Sequence, residues 1–342
     1  MTMKVDPSVC ALQLRSSCQR TEKILVIHQG ALGDLILSFP ALVSLKNERK
    51  ASVALLCPSE LGKMAHELNI VEAYFPLESA RFATLFCESM TPFVKTFIGD
   101  YDTIILFSFS EAIEHYVKHN HPGEVYRIDP RPPVDEEIHI VPYLMRQLQT
   151  KRLLISPNIF CSFTSEATSI SSGPDGNLPC QERVVVIHPG AGSATKRWPL
   201  ENLVQVARII RSEKLGEVVF MVGPAESDLV SILKSRSEDG FRVCEVSDLL
   251  YLMGLVRRAR CLIGHDSGVT HLSAFIGTPT VAIFGPSNPK RWAPLGRATK
   301  ILRGASDCTP CFEMEAVRCE DPQCLNGVSV NMVLDAVRKL AS

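Results

Sequence analysis

The stretch Val184–Pro199, VVVIHPGAGSATKRWP, decides the fold. Four branched apolar residues in a row, Val184 to Ile187, read as a parallel strand buried on both faces, since a half-exposed strand would alternate with polar residues. The run stops at His188-Pro189. Two glycines, Gly190 and Gly192, and the small residue Ser193 follow, then Lys196-Arg197-Trp198-Pro199. An amphipathic helix over Leu200–Ser212 comes next, with Leu203, Val206, Ala207 and Ile210 on one face. Small residues let backbone N–H groups close around an anion, Lys196 adds a point charge, and the helix turns its positive end to the same place. The backbone from Gly190 to Ser193 and Lys196 are therefore candidate diphosphate ligands. The other reading is a glycine-rich connection without a ligand. Arg197 reads as a helix-surface residue, and Pro199 fits the first helical position, where its missing N–H costs nothing.

Working outward, the same unit recurs. Downstream, the strand Cys261–Gly264 runs into Gly264-His265-Asp266-Ser267-Gly268-Val269-Thr270-His271 and a helix. The Ser267 and Gly268 amides suit phosphate oxygens at a helix start. Asp266 is better matched to sugar hydroxyls. His271 reads as either a core or a site histidine. Three adjacent polar residues at one strand end cannot converge as a hydrolase triad, and no G-x-S-x-G elbow is present. Upstream, Lys23–His28 (KILVIH) is a buried strand, followed by Gly30-Ala31-Leu32-Gly33-Asp34 and a helix over Leu35–Lys46, in which Pro40 is tolerable only in the first turn. The turn lacks dinucleotide spacing, and an acid there repels pyrophosphate. Asp34 suits a general base on a hydroxyl, or else a helix cap. A fourth motif, Phe284-Gly285-Pro286-Ser287-Asn288-Pro289 with Trp292, reads as a sugar contact, a hinge or a rigid turn.

Strands and helices alternate through both halves, which means parallel sheets with right-handed crossovers. The expected organisation is a disordered leader over 1–22 and a first α/β domain over 23–155. A serine-rich linker over 156–181 and a second α/β domain over 182–342 complete it. Both domains read as doubly wound and Rossmann-like, facing a central cleft, with every polar motif beyond a strand's carboxyl end. At 342 residues two cores are needed. A net charge of −1 gives no field for nucleic acid. No apolar run reaches the roughly 18–20 residues that span a bilayer, and residues 1–22 have no signal-peptide core, so a cytoplasmic location is expected. Of the 12 cysteines, Cys57, Cys244 and Cys261 sit in apolar runs and read as buried thiols. Cys308, Cys311, Cys319 and Cys324 cluster near the end; the pair of gaps fits a metal or disulfide site imperfectly, and a loop of free thiols is the other reading. The basic residues Lys290, Arg291, Arg297, Lys300 and Arg303 read as a solvated face or a membrane contact.

Together these motifs resemble glycosyltransferase family 9, the ADP-heptose:lipopolysaccharide heptosyltransferases. Gly30, Gly33, Asp34 and Pro40 match its GxxGDxxxxxP turn. His188, Pro189, Gly190, Lys196, Trp198 and Pro199 match its HPG…KxWP segment, and the run from Asp266 to Ser287 matches its third motif. The resemblance implies a GT-B fold, with the acceptor on the amino-terminal domain (Gly30 and Gly33) and the nucleotide sugar on the other. It implies inverting transfer of a heptose-type sugar from an ADP-sugar to a lipid-linked or envelope glycan, with peripheral contact to the inner membrane. Asp34 matches the base and Lys196 the phosphate-binding lysine. Asp266 matches the acid on the sugar, Ser267 and Gly268 the phosphate amides, and Glu226 an acid on the ribose. No DxD-type metal motif appears, so no cofactor and metal-independent transfer are expected. Two other readings remain: a non-catalytic nucleotide-sugar-binding module, and an NAD(P)-dependent oxidoreductase. Phe107-Ser108-Phe109-Ser110 and the polar segment Glu111–His121 fall where acceptor contacts are expected.

Overall fold

The computed structural model describes residues 20–155, 184–304, 308–313, 319 and 321–340. Nearly all of the expected leader and the whole of the expected linker lie outside the described residues. Glu22, assigned to the leader, takes two N–H groups of Arg49 at 2.7 and 2.8 Å and the Thr103 hydroxyl at 2.9 Å.

The first half alternates β1 (Lys23–His28), α1 (Leu32–Arg49), β2 (Ser52–Cys57), α2 (Ser59–Glu67), β3 (Ala73–Pro76), α3 (Pro92–Gly99), β4 (Thr103–Phe107), α4 (Glu111–Asn120), β5 (Glu124–Ile128) and α5 (Ile140–Thr150). The second runs β6 (Val184–Ile187), α6 (Leu200–Ser212), β7 (Glu217–Val222), α7 (Ser227–Lys234), β8 (Arg242–Glu245), α8 (Leu249–Arg258), β9 (Cys261–His265) and α9 (Gly268–Phe275). It closes with β10 (Thr280–Ile283), α10 (Pro289–Trp292), β11 (Thr299–Leu302), α11 (Gln323–Asn326) and α12 (Val330–Leu340). Every strand pairing is parallel. The orders are β3-β2-β1-β4-β5 and β11-β10-β9-β6-β7-β8. Each sheet thus reverses direction once, between β1 and β4 and between β6 and β9. Connections leave to opposite faces at such a point and open a crevice beyond the strand ends. The three sequence motifs follow β1, β6 and β9, so all three stand at these crevices. This is the GT-B arrangement of two doubly wound sheets.

A continuous apolar core joins the halves. It includes Phe39, Leu42 and Leu45 of α1 together with Leu272 of α9 and Met253 of α8. Phe39 meets Phe275 edge-on at 5.2 Å. Burial of ten residues on α1 also explains a departure from the sequence reading. The helix begins at Leu32 and runs through Pro40 rather than holding it in the first turn. A proline there costs on the order of 3 kcal/mol, which the buried face offsets. Glu111–Asn120 is α4, capped by the Ser110 hydroxyl on the Ile113 N–H at 3.3 Å.

Candidate active site between the two sheets

The loop after β6 is held by side chains whose roles follow from burial. Trp198 is 1% exposed and its indole N–H donates to the Val328 carbonyl at 3.1 Å. His265 is fully buried, and burial pushes its pKa down to about 4. Its Nε2 accepts the Trp198 backbone N–H at 3.0 Å. The neutral ring therefore carries its proton on Nδ1, which donates to the Gly190 carbonyl at 3.0 Å. One histidine at the end of β9 thus ties both ends of the β6 loop. Arg197, read as a surface residue, instead reaches the next loop: its guanidinium meets the Ala225 carbonyl at 3.4 Å and Asp228 at 3.3 Å. Its planar fork can bridge two acceptors that the chain separates.

Lys196 projects from this loop to Asp266, Nζ to Oδ2, at 2.6 Å. The other oxygen, Oδ1, lies 3.6 Å from His271 Nε2. Burial alone would raise the Asp266 carboxyl, but the His271 ring and the Lys196 charge outweigh it and hold it well below the usual carboxylate range. Ser267 caps α9, its hydroxyl accepting the Thr270 N–H at 3.4 Å. Glu226 is buried; Oε2 accepts the Gly223 N–H at 2.9 Å and lies 3.8 Å from His188 Nε2. The His188 contact, opposed by burial, holds Glu226 below the usual carboxylate range.

From the first sheet comes Asp34, the third residue of α1 and not its cap residue. Its Oδ2 accepts the Ala31 N–H at 3.2 Å and lies 3.5 Å from Arg131. Behind it, His28 accepts the Gly30 N–H on Nδ1 at 3.2 Å, and burial pushes this ring down to about 4 against the nearby Asp34 charge. The starts of α1 and α9 abut: a Cβ on Gly268 would lie 3.0 Å from the Gly33 nitrogen.

Two cavities meet at this junction. One, of about 250 Å³, is lined by Asp34, Arg131, Lys196, Asp266, His271, Trp292, Phe312 and Glu313. The other, of about 330 Å³, is more apolar, with Met221, Pro224, Val246, Leu249 and Leu252 around Glu226. Gly33, Gly192, Ser267 and Gly268 line both. Of the residues singled out in the sequence, Asp34 and Lys196 share the first cavity, and Glu226 faces the second. Gly30, Gly190 and Ser193 line neither. Gly30 instead makes room for the His28 ring, and a Cβ on Gly190 would overlap the Glu226 carboxylate. No residue of Glu111–His121 lines either cavity.

Comparison with known proteins points to one family. Residues 161–319 match the model of glycosyltransferase family 9 (heptosyltransferase). That match covers just under half of the chain. The chain is 26% identical to lipooligosaccharide heptosyltransferase 2 of Campylobacter jejuni over 47% of this chain and 52% of that protein. It is 36% identical to lipopolysaccharide heptosyltransferase 1 of Pseudomonas aeruginosa over 38% and 36%. The chain spans between about a third and a half of the length of the curated heptosyltransferases it matches. The fold is that of a family 9 glycosyl transferase from Veillonella parvula, with a TM-score of 0.72 at 18% identity, covering 94% of this chain and 97% of that one. It is also that of an Escherichia coli heptosyltransferase solved with ADP, at 0.67 and 15%, covering 93% and 99%.

Several features of this site were not read from the sequence. Arg131, Phe312 and Glu313 come from distant, motif-poor segments, whereas Trp292 was named with the fourth motif. Only the Arg-Pro-Pro turn after β5 and an aromatic beside Cys311 hinted at them. The expected basic face is corrected in part: Lys290, Arg297 and Lys300 are exposed, but Arg291 and Arg303 are not. Arg291 is 2% exposed and its guanidinium donates to the carbonyls of Pro132, Pro133 and Glu136 and to Glu313. Lys290 pairs with Glu137 at 2.8 Å, and Arg303 bonds the carbonyls of Gly285 and Cys308. Sequence adjacency made these residues look like one surface, whereas α10 turns Lys290 and Arg291 onto the first half. The fourth motif is therefore a bridge between halves. Cys308, Cys311, Cys319 and Cys324 are free thiols, and among the described residues no three His, Cys, Asp or Glu side chains gather as a metal site. Burial pushes the Cys57 and Cys261 thiols up to about 12. Cys244 is only half-buried. No helix among the described residues is long and apolar enough to cross a membrane.

Proposed function

We propose that this chain is an inverting glycosyltransferase that moves a heptose-type sugar from an ADP-sugar to a lipopolysaccharide-core or other lipid-linked envelope glycan. One observation carries the reading. A carboxylate from one sheet, Asp34, faces a lysine and carboxylate from the other, Lys196 and Asp266, across a single cavity. That cavity adjoins an apolar one of nucleoside size at two abutting helix starts. The apolar cavity takes the adenosine, with Glu226 as acceptor for ribose hydroxyls. The diphosphate lies at the shared boundary of Gly192, Ser267 and Gly268, and the sugar lies beside Asp266 and Asp34.

The chemistry is one displacement. The acceptor hydroxyl gives its proton to Asp34 as its oxygen attacks the anomeric carbon. The bond from that carbon to the diphosphate oxygen breaks on the opposite face, and its electron pair leaves on ADP. Lys196 and the positive end of α9 meet the charge as it develops, which is where preorganised donors lower a barrier most. Lys196 is held by Asp266, and the diphosphate takes the lysine over while His271 remains beside the carboxylate. No step draws on a metal or cofactor.

The test is incubation with heptose-deficient lipopolysaccharide and, in parallel, ADP-heptose or UDP- and GDP-sugars. The expected result is an acceptor mass gain of one heptose with ADP-heptose only, unchanged by EDTA. Tight ADP-heptose binding without product from any acceptor would establish the non-catalytic module instead. Binding of NAD(P) in place of ADP-sugars would establish the oxidoreductase.

A further inference from the structure

The polar cavity has a wall that none of the three motifs supplies. Phe312 is 44% exposed on the segment after Cys311, yet its ring covers the Lys196 ammonium, Nζ to ring centre, at 3.7 Å. That is well inside the range at which an aromatic face attracts a cation. The segment is pinned in place. The Cys311 and Phe312 N–H groups both donate to the Pro286 carbonyl, at 2.9 and 3.1 Å. Arg303 holds the Cys308 carbonyl at 2.9 Å. The next residue, Glu313, lines the same cavity and takes Arg291 with both oxygens, at 2.8 and 3.1 Å. Arg291 also grips the backbone at Pro132, Pro133 and Glu136, next to Arg131. Arg131 lies over the Trp292 ring at 5.8 Å, and both line the cavity.

The resulting chamber has two aromatic faces, Phe312 and Trp292, among three carboxylates, a lysine and an arginine. Carboxylates and cations satisfy hydroxyls, while a ring face packs against either a cation or an apolar surface. A sugar ring presents both chemistries. A phosphate alone presents neither hydroxyl-rich edges nor an apolar face.

We propose that Phe312 is a specificity-determining residue for the transferred sugar, and that Glu313, through Arg291, is the positioning residue that sets its ring. In the structure Phe312 caps Lys196. With donor, Lys196 turns to the diphosphate and the freed ring face packs on the sugar. The inference rests on the donor reading above, and its test separates the two. ADP and ADP-heptose affinities are measured by calorimetry for the wild type, Phe312→Ala, Phe312→Tyr and Glu313→Gln.

In the wild type, ADP-heptose is expected to bind more tightly than ADP. Phe312→Ala is expected to weaken ADP-heptose about tenfold while ADP stays within threefold or tightens, since uncapping Lys196 does not harm phosphate binding. Phe312→Tyr, which keeps the ring face, is expected to restore the preference, and Glu313→Gln to erode it partway. A parallel loss of ADP and ADP-heptose in Phe312→Ala means a structural role only and overturns the inference. An unchanged preference overturns it as well. A wild type that binds neither ligand sinks the donor reading and this inference with it.

Discussion

Replacing Asp34 by asparagine separates the two jobs assigned to its carboxylate, a hydrogen bond at the helix start and the proposed general base. In the structure Asp34 Oδ2 accepts the Ala31 N–H at 3.2 Å, which secures the first turn of α1, and lies 3.5 Å from Arg131. Asparagine keeps an oxygen of the same reach for the Ala31 N–H but cannot take a proton. The lost Arg131 pair involves a side chain 54% exposed, and such pairs are worth about 0–1 kcal/mol. Asp34→Asn should therefore unfold within about 1 kcal/mol of the wild type. Asp34→Ala loses the capping bond as well and should fall by a further 0.5–2 kcal/mol or so. Turnover should behave differently. General-base assistance typically contributes about 10²–10⁴-fold, or roughly 2.7–5.5 kcal/mol of barrier, and both variants lose all of it. The assay is ADP release from ADP-heptose with a heptose-deficient acceptor, run beside urea unfolding and ADP calorimetry. The expected pattern is turnover down at least a hundredfold in both variants, ADP affinity within threefold, and a stability loss graded from Asn to Ala. Turnover of Asp34→Asn within threefold of the wild type would leave Asp34 only its capping role and refute the reasoning.

Three further outcomes are expected. Lys196→Ala removes a charge from the leaving group, so it should raise the barrier by about 2.7–4 kcal/mol and weaken ADP at least tenfold; wild-type ADP affinity by calorimetry would count against that assignment. His28 and His265 are held neutral, each lowered from 6.5 to about 4 by burial. Their contribution is therefore complete above pH 6.5, falls as pH drops from 6.5 to 4, and levels off below, by about 3 kcal/mol per ring. Urea midpoints from pH 7.5 to 3.5 should show this fall and His28→Asn should flatten part of it, whereas parallel curves for the two proteins would refute the role of His28. Gly268→Ala would put a Cβ 2.7 Å from Leu32 Cβ, while a Cβ on Gly33 would come no closer than 3.4 Å to its neighbours. Gly268→Ala should cost about 1–3 kcal/mol by overpacking and Gly33→Ala much less, so equal losses in denaturation would argue that the two helix starts do not abut in solution.

The strands carrying the motifs were legible in the chain because buried parallel strands are short apolar runs with sharp ends, as in KILVIH and VVVI. The edge strands β3, AYFP, and β5, EVYRI, were not. Their residues are mostly half-buried, so they carry neither a continuous apolar run nor a long alternation. Within the site, Asp34, Lys196, Asp266 and Ser267 were legible because glycine and small residues beside a charge at a strand end have a local physical meaning. His265 was visible only as one polar residue among three. Its tautomer and its hold on Gly190 and Trp198 depend on a loop 75 and 67 residues away.

By itself, the sequence determined two parallel α/β units and the turns able to hold an anion, since strand runs, helix periodicity and glycine turns are local properties. Strand order, and with it the two crevices, came only from the tertiary structure, because an apolar strand packs equally well beside many neighbours. The tertiary structure also decided that Arg131, Trp292, Phe312 and Glu313 join Asp34, Lys196 and Asp266 around one cavity. Their convergence depends on the docking of α1 against α9 and on Arg291 binding backbone more than 150 residues away, contacts that no local pattern encodes.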